Sequence, residues 1–333
     1  MPPDRGSIVT TRLQGAARTS RTLSQEIPNH VTMQTQESER RRRHAEARRA
    51  RHRGPSTAAD AFSRSFTSLG QLALQGVQVS ARATDLSTGA VLFSVDDHVV
   101  MPTASIGKVL LLVEVAARLQ SGQLSPLVQL DRLPQDAAGD SGIWQHLQVP
   151  ALPVADLAAL VGATSDNLAT NVLLRRVGLE AVSARTEALG LTRTALLDLV
   201  RDHRGPDDAP QLSVGSANEL TWLFSSLARG EIVDAATSQR VISWLSLNSD
   251  FSLVSSAFGL DPHSHRHAEH GILLVNKTGT DAGVRSEVGV LRGPNAGVTY
   301  AVSTYFDDTE LPDRLAVIDG MRTVGIDLLE YVF

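Results

Sequence analysis

Met101-Pro102-Thr103-Ala104-Ser105-Ile106-Gly107-Lys108 runs directly into Val109-Leu110-Leu111-Leu112-Val113-Glu114-Val115-Ala116-Ala117-Arg118-Leu119. A serine and a lysine thus stand three residues apart where a strongly helical segment begins. That spacing is about one helical turn, so both side chains lie over one face. A helix start also offers free N–H groups and the positive end of the peptide dipoles, which favour an oxyanion or a lysine that gives up its proton. A serine hydroxyl is a weak nucleophile until a neighbouring base takes its proton. The lysine is a deliberate choice, because Lys108 and Lys277 are the only lysines among 31 basic residues, the rest being arginine. Arginine stays charged in a protein, whereas a buried lysine can serve as a base.

Working outward, two further short motifs follow in order: Ser165-Asp166-Asn167, then Lys277-Thr278-Gly279 with Thr280 after it. Ser-x-x-Lys, Ser-Asp-Asn and Lys-Thr-Gly in that order read as an active-site serine hydrolase of the penicillin-recognising type. Each motif alone is weak; the ordered set is specific. It implies Ser105 as nucleophile, Lys108 as base and Ser165 as proton shuttle to the leaving group. Asn167 is then expected to hold a substrate amide side chain, and Lys277 with Thr278 a substrate carboxylate. Thr280, two residues past Thr278 on a strand, points to the same face. Its backbone N–H and that of Ser105 would form the oxyanion hole.

The flanking sequence predicts how these motifs are brought together. Ala58 to Gln75 has a helical apolar face (Phe62, Phe66, Leu69, Leu72), and Val77, Val79 and Ala81 alternate before a turn at Asp85–Gly89 and a return strand at Val91–Phe93. Helical patterns recur over 157–161, 169–176, 217–228 and 235–247. Strands are expected around Lys277 and over 288–291 and 298–305, the last two joined at Gly293–Gly297, and a helix over 314–331 closes the chain. Strands at both ends with helices between predict an α+β fold: an antiparallel sheet flanked by helices, with an inserted all-helical lobe. The sheet lobe is expected over 58–104 and 248–333, and the helical lobe over 105–247.

From about residue 76 to 330 the chain resembles the class A β-lactamases and their penicillin-binding relatives. Met101–Ser105 with a helix ending at Gln120-Ser121-Gly122-Gln123-Leu124 is similar to the family's nucleophile helix. Ser165-Asp166-Asn167-Leu168-Ala169-Thr170-Asn171 with Leu173-Leu174 and Gly190-Leu191 is similar to its next block. The resemblance implies a covalent acyl-enzyme. One departure matters: class A enzymes carry Glu-x-x-Leu-Asn on the Ω-loop, whose glutamate activates the deacylating water. The corresponding stretch here, Thr194 to Arg204, has no glutamate. Asp198 and Asp202 are its carboxylates, each readable as a replacement base or as a loop-bracing acid. Slow deacylation is therefore expected. A D-alanyl peptidase or esterase, and a penicillin-binding sensor that stays acylated, remain open beside the β-lactamase reading.

Other features bound the partners. Arg285, beyond the Gly283 turn, either adds a guanidinium to the carboxylate site or pairs with Glu287 as a strand-edge residue. His263, His265, His267 and His270 crowd one loop; without cysteine or a second cluster they read as a solvated loop, and no metal site is assigned. Trp144, Trp222 and Trp244 are read as packing residues, with Trp144 also placed to rim the pocket. Residues 1–57 read as a disordered basic arm carrying Arg40–Arg43 and Arg48, Arg49, Arg51 and Arg53, most simply a solvated tail since no aromatic interleaves them. The rest is acidic, so no nucleic-acid partner is expected. No 18-residue apolar run or apolar leader core occurs, which gives the expectation of no membrane span and a cytoplasmic location. The protein is expected to be a monomer acting on a small molecule, a β-lactam, amide or ester bearing a carboxylate, without a cofactor.

Overall fold

Burial in the long strands runs along nearly every position rather than every second one, and takes in polar residues as well as valines and alanines. Strand β1 (Gln78–Asp85) and strand β2 (Val91–Val95) form the first hairpin of a computed structural model that describes residues 61–266 and 271–333. Helix α1 (Ser63–Leu74) precedes them. After a short strand β3 (Met101–Pro102) and a 3₁₀ turn over Ala104–Gly107 come α2 (Lys108–Gln120), β4 (Gln129–Asp131) and β5 (Ala151–Pro153). Next are α3 (Val154–Thr164), α4 (Asn167–Val177), α5 (Leu179–Ala188), β6 (Ala195–Leu196), β7 (Ser213–Gly215), α6 (Ala217–Arg229) and α7 (Ala235–Leu245). The chain returns through β8 (Leu273–Asp281), β9 (Val284–Arg292) and β10 (Gly297–Tyr305) to α8 (Leu311–Val332). These described residues belong to one compact unit.

The main sheet has five strands in the order β2-β1-β10-β9-β8, every neighbouring pair antiparallel. Its first and last strands in sequence meet at β1 and β10, so both ends of the chain close one sheet, as the pattern of strands predicts. Helices cover both faces, which is why β9 is buried at all but its last residue. On one face α1 and α8 pack Phe62, Leu69, Met321 and Leu328 onto Val79, Tyr300 and Val302. Buried Asp327 ties the two helices, accepting from Arg64 Nε (2.7 Å) and from the Ser65 backbone N (2.9 Å) and hydroxyl (2.7 Å). On the other face α6 brings Leu220, Leu223 and Phe224 against Val288, Val290 and Ala301.

Helix α2 is buried over its whole first ten residues, Lys108 to Ala117, because the other helices surround it. Its one acid, Glu114, is matched by Arg118 (2.6 Å) and Arg185 (2.9 Å). Three details depart from the sequence reading. The intervening lobe also holds the pair β4–β5 and the strands β6 and β7, β7 pairing with both β3 and β6; runs of two or three residues carry no periodicity to read. Helix α5 shows no clear apolar stripe in sequence. Trp222 stands exposed on α6 rather than packed, whereas Trp144 and Trp244 are buried. No helix among the described residues is long and apolar enough to cross a membrane. The arm at 1–57, His267 and His270 lie outside the described residues.

Candidate active site

Ser105 sits in the 3₁₀ turn that leads into α2, and the turn is strained. Ala104, immediately before it, has φ 47°, a left-handed conformation unusual for a residue with a Cβ. Buried Ser213 on β7 holds that turn. Its hydroxyl donates to the Ala104 carbonyl (2.6 Å), receives the Gly107 N–H (3.2 Å) and pairs with the Thr103 hydroxyl (2.8 Å). More than a hundred positions separate Ser213 from the turn, so nothing local in sequence signalled this role.

Lys108 opens α2 and is fully buried. Its Nζ donates to the Ser165 carbonyl (2.6 Å), the Ser165 hydroxyl (3.1 Å) and Asn167 Oδ1 (2.6 Å). Burial, then the positive charge of Lys277, push its pKa well below the ordinary lysine value, against an opposing pull from Asp166. None of its hydrogen bonds goes to Ser105; its partners are Ser165 and Asn167. Asn167, expected to reach toward substrate, has both ends of its carboxamide engaged inside the protein, since Nδ2 donates to the Gly139 carbonyl (2.6 Å). Ser165 itself is a left-handed residue (φ 55°) at the junction of α3 and α4. Asp166 supplies the scaffold: one oxygen caps α4 at Ala169 N (2.9 Å), the other accepts from Ile143 N (2.8 Å) and Trp144 N (2.9 Å). That locks the 139–146 loop beside the site, and Trp144 packs beneath the loop instead of rimming the pocket.

The opposite wall is the edge strand β8. A Cβ on Gly279 would lie 2.1 Å from the Thr103 carbonyl oxygen and 3.2 Å from Ser105 N, so only glycine lets the strand lie against the turn that holds Ser105. This contact brings the backbone after Gly279 alongside Ser105. Thr278 and Thr280 share one face and line a cleft of about 350 Å³ with Ser105, Ser165, Ser141 and Asn248. Lys277 is fully buried, its Nζ donating to the Thr278 carbonyl (2.7 Å). Burial lowers its pKa to about 8, while Asp250 and Glu287 pull it upward. Arg285 follows neither sequence reading. Its guanidinium pairs with Asp308 (3.0 Å), donates to the Asp281 and Val284 carbonyls (2.8 Å each) and stacks over Phe306. Glu287, its expected partner, faces Asn276 and Tyr300 instead.

The segment 194–204 lies beside α4. Asn171, one turn beyond Asn167, holds the Val200 backbone at both groups: Val200 N donates to Oδ1 and Nδ2 donates to the Val200 carbonyl, both at 2.9 Å. The pinned residue is thus a half-buried valine. Asp198 is a brace, paired with Arg201 (2.9 Å) and Arg204 (2.7 Å). Burial pushes its carboxyl up, but hydrogen bonds from Arg201, Leu199 N and Arg204 outweigh that and hold it below the usual carboxylate range. Asp202 is exposed and accepts from Gly139 N (2.7 Å), tying this segment to the 139–146 loop. Of the loop histidines, His265 is buried on Phe251 with Nδ1 at the Pro262 carbonyl (3.1 Å), and His263 is exposed. Among the described residues no three metal-ligating side chains come together.

The sequence matches the β-lactamase enzyme family over residues 61–332. The chain belongs to that family. Its fold is shared with a β-lactamase from Sphaerobacter thermophilus DSM 20745 (22% identity, 81% of this chain and 97% of the other, TM-score 0.70). It is likewise shared with PBP-A (19% identity, 81% and 95% covered, TM-score 0.68). A leucine-to-glutamate variant of PBP-A, solved as an acyl-enzyme complex with penicillin G, aligns at 20% identity over 81% and 96% of the two chains, TM-score 0.65. No curated protein matches. Membership makes this a β-lactamase-like serine hydrolase of the class A type, whose general mechanism is acyl-enzyme formation.

Proposed function

We propose that Ser105 is the acylated residue and that the enzyme acylates quickly and deacylates slowly on β-lactams or related amides and esters. The observation that carries this reading is the fully buried Lys108, bonded to the Ser165 hydroxyl at 3.1 Å at the foot of the helix that Ser105 begins. Lys108, whose burial pushes its pKa well below the ordinary lysine value, takes the Ser105 proton as Oγ attacks the substrate carbonyl. The Ser165 hydroxyl, able to donate or accept, passes a proton to the leaving nitrogen or oxygen as its bond to the carbonyl carbon breaks. The N–H groups of Ser105 and Thr280 receive the oxyanion. Lys277 and Thr278 draw the substrate carboxylate. Asn167 serves by orienting Lys108. Water must then cleave the ester to free the acid and restore Ser105. With Asp198 held as an ion-paired brace and valine at the pinned position, that segment provides no evident base for the step. This supports a D-alanyl peptidase, esterase or non-turnover sensor as the alternative outcome.

Intact-mass spectrometry after mixing with penicillin G and with a chromogenic ester tests the proposal. An adduct on wild type that is absent from Ser105→Ala is expected. A transient adduct means a hydrolase and a persistent one a sensor or trap; none with either reagent, or an equal adduct on Ser105→Ala, overturns the assignment.

A further inference from the structure

Among the described residues, the cleft that holds Ser105 carries one charged side chain on its lining, and that charge is negative. Asp250, in the segment after α7, lines it together with Ser105, Ser165, Thr278 and Thr280; the remaining lining side chains are hydroxyls, one amide and one methyl group. The cations of the motifs and of β9 are turned inward. Lys108 is fully buried on Ser165 and Asn167, and Lys277 is fully buried with its Nζ on the Thr278 carbonyl. Arg285 is paired with Asp308 (3.0 Å).

The backbone around Asp250 is fixed on both sides. Asp250 N donates to Asn248 Oδ1 (3.4 Å), while Asn248 Nδ2 donates to the Asp250 carbonyl (3.2 Å) and to Asn276 Oδ1 on β8 (2.8 Å). Ser249, between them, donates from its N (3.0 Å) and its hydroxyl (3.1 Å) to the Ala163 carbonyl near the end of α3. The segment is thus stapled to α3 on one side of the cleft and to β8 on the other. The half-buried side chain is held as well, since its Oδ1 accepts from Ser252 N (3.1 Å) and the Ser252 hydroxyl (2.7 Å). Its Oδ2 has no partner, and no lysine or arginine pairs with it among the described residues. An unpaired acid fixed on the lining of a cleft attracts a cation and repels an anion.

We propose that Asp250 is a specificity-determining residue: it turns this cleft toward amides and esters that are neutral or carry an ammonium group, and against those that carry a carboxylate. This deepens the proposed function and rests on its reading of the cleft as the site of acyl transfer. A substrate carboxylate drawn by Lys277 from beneath the surface meets the Asp250 charge on the surface. An ammonium group finds in Asp250 the partner that the protein leaves open.

Three compounds with one acyl group and one ring separate charge from chemistry: penicillin G, an anion; its methyl ester, neutral; and its diethylaminoethyl ester, a cation at neutral pH. Second-order rates of adduct formation on the full-length protein, read by intact mass, give the ratio of cation to anion. Asp250→Asn keeps an oxygen for Ser252 and removes the charge, so that ratio should fall about tenfold, with the methyl ester changed by less than about twofold. Asp319→Asn, which removes the same charge from the exposed face of α8, should leave the ratio as it is. An unchanged ratio in Asp250→Asn, or an equal fall in Asp319→Asn, overturns the proposal. Asp250→Ser gives the same reading should Asp250→Asn not fold, since a serine hydroxyl also accepts in such a turn. Binding of the three compounds to Ser105→Ala, by calorimetry, reads the order of charge without chemistry. That order kept there, with no adduct on the wild type, removes the acyl-transfer reading and leaves Asp250 in its role. Adducts on the wild type whose rates ignore the charge at residue 250 do the reverse.

Discussion

Lys108 and Lys277 are fully buried lysines in a protein that otherwise uses arginine, and the role proposed for Lys108 requires a side chain able to lose its proton. Lys108→Arg should therefore be nearly as inactive in acylation as Lys108→Ala, a loss of about 10²–10⁴-fold, read as the rate of adduct formation by intact mass. Substantial acylation by Lys108→Arg would make the lysine an electrostatic partner only and send the search for the base elsewhere. Lys277→Arg should be milder, because a charge near a carboxylate suffices there. Asp198 illustrates the opposite case. Its two arginine partners favour the ionised form and occupy both oxygens. Asp198→Asn is expected to leave the deacylation rate within a few-fold while making the 194–204 segment more open to proteolysis. A large fall in deacylation without a change in proteolysis would show Asp198 acting as a base.

Two elements must touch for the cleft to exist, the nucleophile turn and strand β8, and Gly279 is where they do. Gly279→Ala would drive a methyl group into the Thr103 carbonyl, 2.1 Å away, and push β8 off the turn. Separating the Thr280 N–H from Ser105 should cost acylation at least as much as losing one oxyanion donor, about 10²–10³-fold. The main sheet should survive, so an unchanged circular dichroism spectrum with lost labelling is the expected pair of results; full labelling would mean that Thr280 N does not serve the oxyanion. The 194–204 segment offers the converse experiment. Asn171 presents Val200 beside α4, whose first residue, Asn167, accepts from Lys108 of α2. Val200→Glu should place a carboxylate near the acyl ester and raise the deacylation rate about 10²-fold or more. An adduct as long-lived as in wild type would show that another residue faces the ester.

Across the whole molecule, the cleft lies where two hydrophobic clusters meet: one around α1, α8 and the sheet, the other around α2 and its surrounding helices. Ser105 and Lys108 come from the second and Lys277 and Thr280 from the sheet, so the site depends on both being intact. Fast acylation followed by slow release predicts a burst of one equivalent of product with penicillin G and a slow steady rate after it, measurable by quenched flow. Linear turnover without a burst would mean that a deacylating base is present after all, and that the alignment of the 194–204 segment must be revised.

How much of this was readable beforehand depends on distance along the chain. Ser-x-x-Lys at the start of an apolar helix, a strand carrying Lys-Thr-Gly and strands at both chain ends are local patterns, written in spacing and side-chain type. They predicted the α+β sheet, the helix that follows Ser105 and four of the residues that line the cleft, Ser105, Ser165, Thr278 and Thr280. The partners of those residues were not local. Ser213 beneath the nucleophile turn, Asp308 as the destination of Arg285, Asn167 turned toward Lys108 and Gly139, and Glu287 against Tyr300 all arise from strands and loops brought together by folding. Sequence determined which groups the protein has for acyl transfer, because chemistry limits the residue types that can do it. Only tertiary structure decided which way each buried polar group points, because a desolvated donor or charge must find its partner among whatever the fold places within about 3 Å.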